Sequence, residues 1–266
     1  MCIRRCTEEQ QDGRVATGVS VCCMPAGLDG HPDPIVTDAR TEVLADVAGA
    51  VSTAVAGQPR VLIAVDGRSG AGKSTFADEL SSTLGELGIA TLRSTTDSFH
   101  KPRADRMRRG ANSAEGYYLA SHQLTTIVEE LLNPFVEGAS TVRVAAFNEP
   151  KDEPVHETAD IVDDAVLIFD GLFLQRPELR SFWNHSVFLM ADERLDAAWL
   201  DFLLSDLPSG STDRAQRIDE RLHQARWPRY RDGWRRYLDA DQPDQRCCFL
   251  IDNNDFGSPS IVRSHV

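Results

Sequence analysis

No stretch of this chain approaches about 18 consecutive apolar residues, so a transmembrane helix is not expected. Arg4 and Arg5 are followed by no apolar segment, which excludes the pattern of a secretory signal. Basic residues are the scarce sign: 28 Lys and Arg stand against 41 Asp and Glu, a net charge of −13. That balance argues against sequence-independent nucleic-acid binding, which runs on neutralising phosphates, and against anionic membrane surfaces. The cysteines are Cys2, Cys6, Cys22, Cys23, Cys247 and Cys248, and their spacing matches no C-x₂-C zinc pattern. Free thiols in a reducing compartment are the expectation, and with them a cytoplasmic location.

What remains is a chain of 266 residues, 41% of them hydrophobic, enough for a sizeable core. Residues 1–34 are polar, rich in Gly and Pro, and end in His31-Pro32-Asp33-Pro34. They read as a disordered leader, with Met24 as an alternative start. With no repeats and no second core, residues 35–266 are expected to form a single domain.

Its centre is Asp66-Gly67-Arg68-Ser69-Gly70-Ala71-Gly72-Lys73-Ser74-Thr75, which fits G-x-x-x-x-G-K-[ST]. Glycines let the backbone turn its N–H groups inward, and the following helix adds the positive end of its dipole. Together they form a cradle for phosphate, with Lys73 reaching the outer phosphates and the Ser74 hydroxyl available to Mg²⁺. The flanks agree: Val61–Val65 is an apolar, β-branched run, and Phe76, Ala77, Leu80 and Leu84 recur at helical spacing.

Val43, Leu44, Val47, Ala48, Val51 and Val55 predict an amphipathic helix over 35–57, closed by Gly57 and Pro59. A strand at Ile89–Leu92 leads to Asp97 and His100, placed where carboxyl ends of strands line a ligand crevice. The next ten residues, Lys101–Gly110, contain five Lys or Arg. Residues 121–133 predict a helix ended by Asn133-Pro134, and Val142–Phe147 a strand. Asp164–Gly171 is an apolar run closing on Asp170, the form of the second phosphate-loop signature, whose acidic residue serves Mg²⁺. Val187–Met190 reads as a further strand, 192–205 as a helix, Leu207–Ser211 as a break, and 214–236 as an Arg-rich helical stretch. Cys247–Ile251 is the expected last strand. Strands alternating with helices predict an α/β fold with a doubly wound parallel sheet.

The motifs Val65–Ala77, Asp97–Arg103, Ser113–Tyr118, Phe169–Leu174, Arg176–Arg180 and Ile251–Asn253 resemble those of uridine kinase-like phosphate-loop kinases, the phosphoribulokinase/uridine kinase family. The resemblance runs from about residue 36 to 256 and is nearest to a bacterial subgroup. It implies ATP and Mg²⁺, with residues 67–75 around the phosphates and Ser74 and Asp170 near the metal. It implies Asp97 as the carboxylate that accepts the proton of a nucleoside 5′-hydroxyl. Phe99, Tyr117, Tyr118 and Phe147, with His100, would surround the acceptor's base. A helical lid over about 206–236, with Arg217 and Arg229, would close on the phosphates. Two departures stand out. Ala120 occupies the place of an Asp that holds the ribose diol, and Trp199–Leu204 contains no Arg where the family's lid opens.

The function expected is ATP-dependent phosphorylation of a hydroxyl on a small, nucleoside-like acceptor. The alternatives are a kinase of another alcohol, pantothenate- or pentose-like, and a non-enzymatic nucleotide-binding switch. Ala120 implies that uridine itself is a weak substrate.

Overall fold

The computed structural model describes residues 37–192 and 226–265. The expected leader, the helix proposed after Asp192, the break at Leu207–Ser211, Arg217 and the lid residues before 226 lie outside them. The described residues belong to one compact unit, Val36–Val266.

Thr37 opens the first helix, α1 (Asp38–Val55), its hydroxyl oxygen accepting from the Arg40 N–H. Strand β1 (Arg60–Gly67) is buried along its whole length, as a central parallel strand must be. Helix α2 (Lys73–Glu86) and β2 (Ala90–Thr95) follow. A single 3₁₀ turn, Thr96–Phe99, then leads through the short helices α3 (Arg103–Arg106) and α4 (Ala114–Ala120).

The helix expected to stop at Asn133 does not stop there. Helix α5 starts at Leu124–Ile127, loosens into a π turn over Val128–Leu132 and continues through Asn133–Val136. Pro134 falls just after the π turn, where the regular ladder of backbone hydrogen bonds is already interrupted. Strands β3 (Thr141–Asn148) and β4 (Glu153–Asp160) form their own antiparallel hairpin, so the expected strand at 142–147 is not part of the main sheet. Then come β5 (Ala165–Gly171) and β6 (His185–Met190). Past the second gap lie α6 (Arg226–Asp241), a short turn of helix at Pro243–Arg246, β7 (Phe249–Asp252) and β8 (Ser260–Ser264).

The main sheet runs β2-β5-β1-β6-β7-β8. All neighbours pair in parallel except β7 and β8, so the last strand is an antiparallel edge that follows the one expected to be last. From β1 the chain moves to β2 and β5 on one side, then to β6 and β7 on the other. The loop after β1 therefore opens at the topological switch point, where open α/β sheets place their ligands.

Alternation along β1 builds both faces. Val61, Ile63 and Val65 pack with α1, α2 and alternate residues of β5, β6 and β7. Leu62 and Ala64 turn the other way, against Phe99, α5 and β3. Each fully buried Val, Leu, Ile or Phe contributes about 1.5–3 kcal/mol relative to exposure. A third cluster, mostly aromatic, holds Tyr117, Tyr118, Phe173, Phe188 and Tyr237 together and ties α4 to α6. No helix among the described residues is long and apolar enough to cross a membrane.

Candidate active site

Between β1 and α2 the chain makes a tight glycine-rich loop. Gly72 is left-handed (φ 78°, ψ 21°) and N-caps α2. A Cβ there would come within 3.1 Å of Asn253 Nδ2 and 3.3 Å of the Phe256 ring. Asn253, buried just past β7, donates to the Ala71 carbonyl (2.8 Å), so the C-terminal segment braces the loop. Lys73 Nζ donates to the Arg68 carbonyl (2.8 Å). Burial lowers the Lys73 pKa, and Asp97, Asp170 and Asp66 act against that shift. Ser74 and Thr75 lie exposed at the first turn of α2. Tyr117 lies beside Ser69 of the loop and in the field of Asp97; burial raises its pKa.

Strand register brings the second acidic signature alongside. Val65 on β1 and Thr95 on β2 both pair with Asp170 on β5. Asp170 is buried, and it accepts from Ser74 Oγ at 2.8 Å and from Arg93 at 2.9 Å. Arg93 also meets Asp78 at 3.0 Å and the Ile168 carbonyl at 3.1 Å. It is an arginine set between the carboxylate and the strand that carries it. The next residue, Gly171, passes so close to Thr96 that a Cβ would overlap the Thr96 side chain. Thr96 Oγ1 accepts from the Leu172 N–H (3.2 Å), fixing the turn that carries Asp97 against the end of β5.

Beneath the loop, Asp66 is buried and accepts from three donors. These are the N–H groups of Gly67 (2.7 Å) and Leu174 (3.1 Å) and the Tyr237 hydroxyl. Burial raises its pKa from 3.8 to about 6, with the Tyr237 hydrogen bond the strongest opposing influence. Tyr237 in turn accepts from the Gln175 N–H (2.8 Å). Sequence reasoning gave Asp66 no role of its own and missed Tyr237 altogether, since 171 residues separate the pair.

Asp97 lies exposed in the 3₁₀ turn after β2. One oxygen of Asp97 and one ring nitrogen each of His100 and His122 lie within 4.8 Å of one another. His122, from the segment after α4, is one of three residues, with Ser121 and Glu115, that could stand in near Ala120 for the missing diol-binding Asp; a place beside Asp97 and His100 was not expected of it. A cavity of about 490 Å³ opens beside it, lined by Lys101, Asp105, Leu119, His122, Gln123 and Arg176.

Several expected acceptor residues lie elsewhere. Phe99 is fully buried and packs against Phe169 in the core, because an apolar ring at the end of a 3₁₀ turn under the sheet has no water-facing option. Phe147 is likewise buried, on β3. Tyr118 turns away to α6, where its hydroxyl donates to Asp241 (2.5 Å) and its pKa is pushed up to about 12, mainly by burial. Arg229, expected to close on the phosphates, is buried in α6. It donates to the carbonyls of Ser113 (2.9 Å), Arg106 (3.0 Å) and Gly110 (3.4 Å), which makes it an anchor for the α3–α4 segment. Near Ala120, Ser121 already donates to the Tyr117 carbonyl (2.6 Å) and Glu115 pairs with Arg109 (3.0 Å). His122 Nε2 alone of these side-chain groups is buried with no partner.

The residues fit a nucleotide and its metal. The Gly72 turn is a cradle that a Cβ would crowd, and the Ser74 hydroxyl and Asp170 carboxylate supply hard oxygen donors 2.8 Å apart at its rim.

Comparison with known proteins gives this geometry a place. No curated protein matches the chain at a significant level. Among solved structures, one is described as a possible uridine kinase from Bacillus stearothermophilus. It superposes with a TM-score of 0.56 at 21% identity, covering 77% of this chain and 98% of that one. A candidate fructose transport system kinase from Silicibacter sp. TM1040 gives 0.59 at 20%, covering 74% and 95%. D-glycerate 3-kinase from Cryptococcus neoformans gives 0.56 at 13%, covering 84% and 98%. At these identities the likeness is one of fold. The family model described as Phosphoribulokinase / Uridine kinase family matches residues 62–200, just over half of the sequence. From its phosphate loop to the strand order of its sheet, the chain belongs to the phosphoribulokinase/uridine kinase family of phosphate-loop kinases.

Proposed function

We propose that this protein transfers the γ-phosphoryl group of ATP to a hydroxyl of a small, nucleoside-like acceptor, with Asp97 taking the hydroxyl proton. The observation that carries the reading is that the turn bearing Asp97 is fixed to the end of β5 that bears Asp170, on neighbouring parallel strands, with both carboxylates in the field of Lys73. A nucleotide switch needs a phosphate loop and a metal carboxylate; it has no use for a second, exposed carboxylate facing them.

Residues 67–75 receive the phosphates through backbone N–H groups and the dipole of α2. Lys73 leaves the Arg68 carbonyl and offsets phosphate charge. Ser74 and Asp170 hold Mg²⁺, which when bound neutralises charge that develops on the phosphate oxygens. Arg93 keeps the Asp170 carboxylate oriented toward Ser74. Asp97 orients the acceptor hydroxyl, and the cavity beside His122 receives the rest of the molecule. With Ser121 and Glu115 engaged, His122 is the group left to meet an acceptor hydroxyl near Ala120. Phosphoryl transfer of this kind is positioning plus electrostatic stabilisation.

The test is acceptor-dependent ADP release. The panel holds uridine, 2′-deoxyuridine, other nucleosides, glycerate and sugar alcohols, and Lys73→Ala serves as the control. The proposal expects ADP only with the right acceptor and none from folded Lys73→Ala. Acceptor-independent hydrolysis, or unchanged activity in Lys73→Ala, contradicts it.

A further inference from the structure

We propose that Asp97, His100 and His122 form a three-ligand site for a divalent cation of the zinc class, separate from the Ser74–Asp170 oxygen site, and that its occupancy blocks phosphoryl transfer by taking the Asp97 carboxylate. The binding half stands on the three side chains; the inhibition half rests on the reading of Asp97 as acceptor base.

Two backbone segments hold the ligands face to face. Lys101 N–H donates to the Ser121 carbonyl (2.9 Å) and Gln123 N–H to the Phe99 carbonyl (2.8 Å), an antiparallel bridge centred on His100 and His122. Gln123 Nε2 closes it by donating to the His100 carbonyl (2.7 Å). The two imidazoles come together with ring centroids 4.8 Å apart. His100 Nδ1 lies 3.0 Å from the Asp97 carbonyl. A ring that donates there keeps its Nε2 lone pair, the arrangement by which metal-binding histidines are commonly oriented.

The second, independent observation is His122. It is only 4% exposed, and its Nε2 has no hydrogen-bond partner. A buried nitrogen without a partner is costly, and coordination would satisfy it. Burial, with His100, Arg176, Arg106 and Lys101 around it, holds its pKa well below the usual histidine value. Those cations would also repel a dication, but Arg176 is paired with Glu178 at 2.5 Å and Arg106 with Glu149 at 2.9 Å.

Two imidazoles and one carboxylate are the donor set of zinc, whereas Mg²⁺ favours oxygen alone. Ligand atoms about 2 Å from a tetrahedral zinc sit roughly 3.3–3.5 Å apart, so closure from 4.8 Å asks for a shift of about 1 Å. The exposed Asp97 and half-buried His100 can supply it. The fourth position is then left to water.

The test uses full-length protein carrying Cys2→Ser, Cys6→Ser, Cys22→Ser and Cys23→Ser, so that N-terminal thiolates offer no competing site. Zinc binding is titrated against a chromogenic chelator in excess Mg²⁺, with His122→Phe and His100→Ala made in the same background. Thermal midpoints check that both variants are folded. One bound equivalent in the parent, weakened at least about 10²-fold in each histidine variant, is the expected result. No bound zinc in the parent, or equal affinity in folded variants, overturns the site. Kinase assays with the best acceptor of the panel test the second half. Inhibition by zinc should be competitive with that acceptor and shift to higher concentration in His122→Phe. If zinc binds through the histidines yet inhibition is not competitive, the metal site survives and the acceptor-base reading of Asp97 falls.

Discussion

Replacing Tyr237 by Phe deletes one oxygen that two buried groups depend on. The Gln175 N–H loses its acceptor, which costs about 1–3 kcal/mol for an unsatisfied buried donor. Asp66 Oδ2 loses one of its two donors and keeps only the Leu174 N–H. What that second loss costs depends on pH. Asp66 titrates at about 6 in the folded protein against 3.8 ordinarily. The native state thus holds a proton that the unfolded chain releases, and stability falls as pH rises from about 4 through 6. By 1.36 kcal/mol per pH unit the fall is roughly 3 kcal/mol. Below that window the Tyr237 bond is to a neutral carboxyl, worth about 0.5–1.5 kcal/mol; above it the bond is to a carboxylate, worth about 1.5–3. Tyr237→Phe should therefore destabilise by about 2–4 kcal/mol at pH 5 and by about 1–2 kcal/mol more at pH 8. Because the lost bond favoured the charged form, the fall in stability with pH should also extend to higher pH in the variant. Urea unfolding of both proteins at the two pH values reads this directly. An equal loss at both would refute the coupling between Tyr237 and the charge on Asp66.

Two further substitutions probe how the site is built. Arg229→Ala should lower stability by about 2–4 kcal/mol through the lost carbonyl contacts, and Arg229→Lys should not restore it, since one ammonium cannot reach all three. An unchanged thermal midpoint with reduced turnover would instead return Arg229 to a role on the phosphates. Gly171→Ala should cost at least about 1–3 kcal/mol, through overlap with the Thr96 side chain and a left-handed φ of 154°, and reduce turnover; Thr96→Ala, which removes the Thr96 Oγ1 and Cγ2 but leaves its Cβ at 2.8 Å, should recover part of that loss. No recovery would show that the Oγ1 and Cγ2 overlaps are not what matters there.

The phosphate loop was legible because its chemistry is local. Strand, glycines and helix are contiguous, and the register that sets Asp170 beside β1 follows from two apolar runs of similar length. What the sequence concealed depends on distance or on context. Strand β4, Glu-Pro-Val-His-Glu-Thr-Ala-Asp, is polar and exposed along most of its length and carries Pro154. Only its pairing with β3 makes it a strand. Strand β8 is a five-residue edge with a weak alternation. Phe99, inside the acceptor motif, and Phe147 on β3 read as pocket walls only through the family resemblance, yet an aromatic ring is equally suited to filling the core beneath a site. Arg229 looks like its neighbours in an Arg-rich run; what sets it apart is burial against carbonyls more than a hundred residues away. His122 was legible as a neighbour of Ala120 able to replace the missing Asp, but its pairing with His100 depends on a backbone bridge between two separate segments.

The central claim is that Asp97 accepts the proton of the acceptor hydroxyl while residues 67–75 and Asp170 manage the nucleotide and its metal. Steady-state transfer and ATP binding measured side by side on Asp97→Asn test it most directly. ATP affinity should stay close to that of the natural protein, and turnover with saturating acceptor should fall by about 10²-fold or more, the scale of a lost acid–base group. Preserved turnover of bound substrate, with ATP affinity collapsed, would contradict the claim and move Asp97 to the metal.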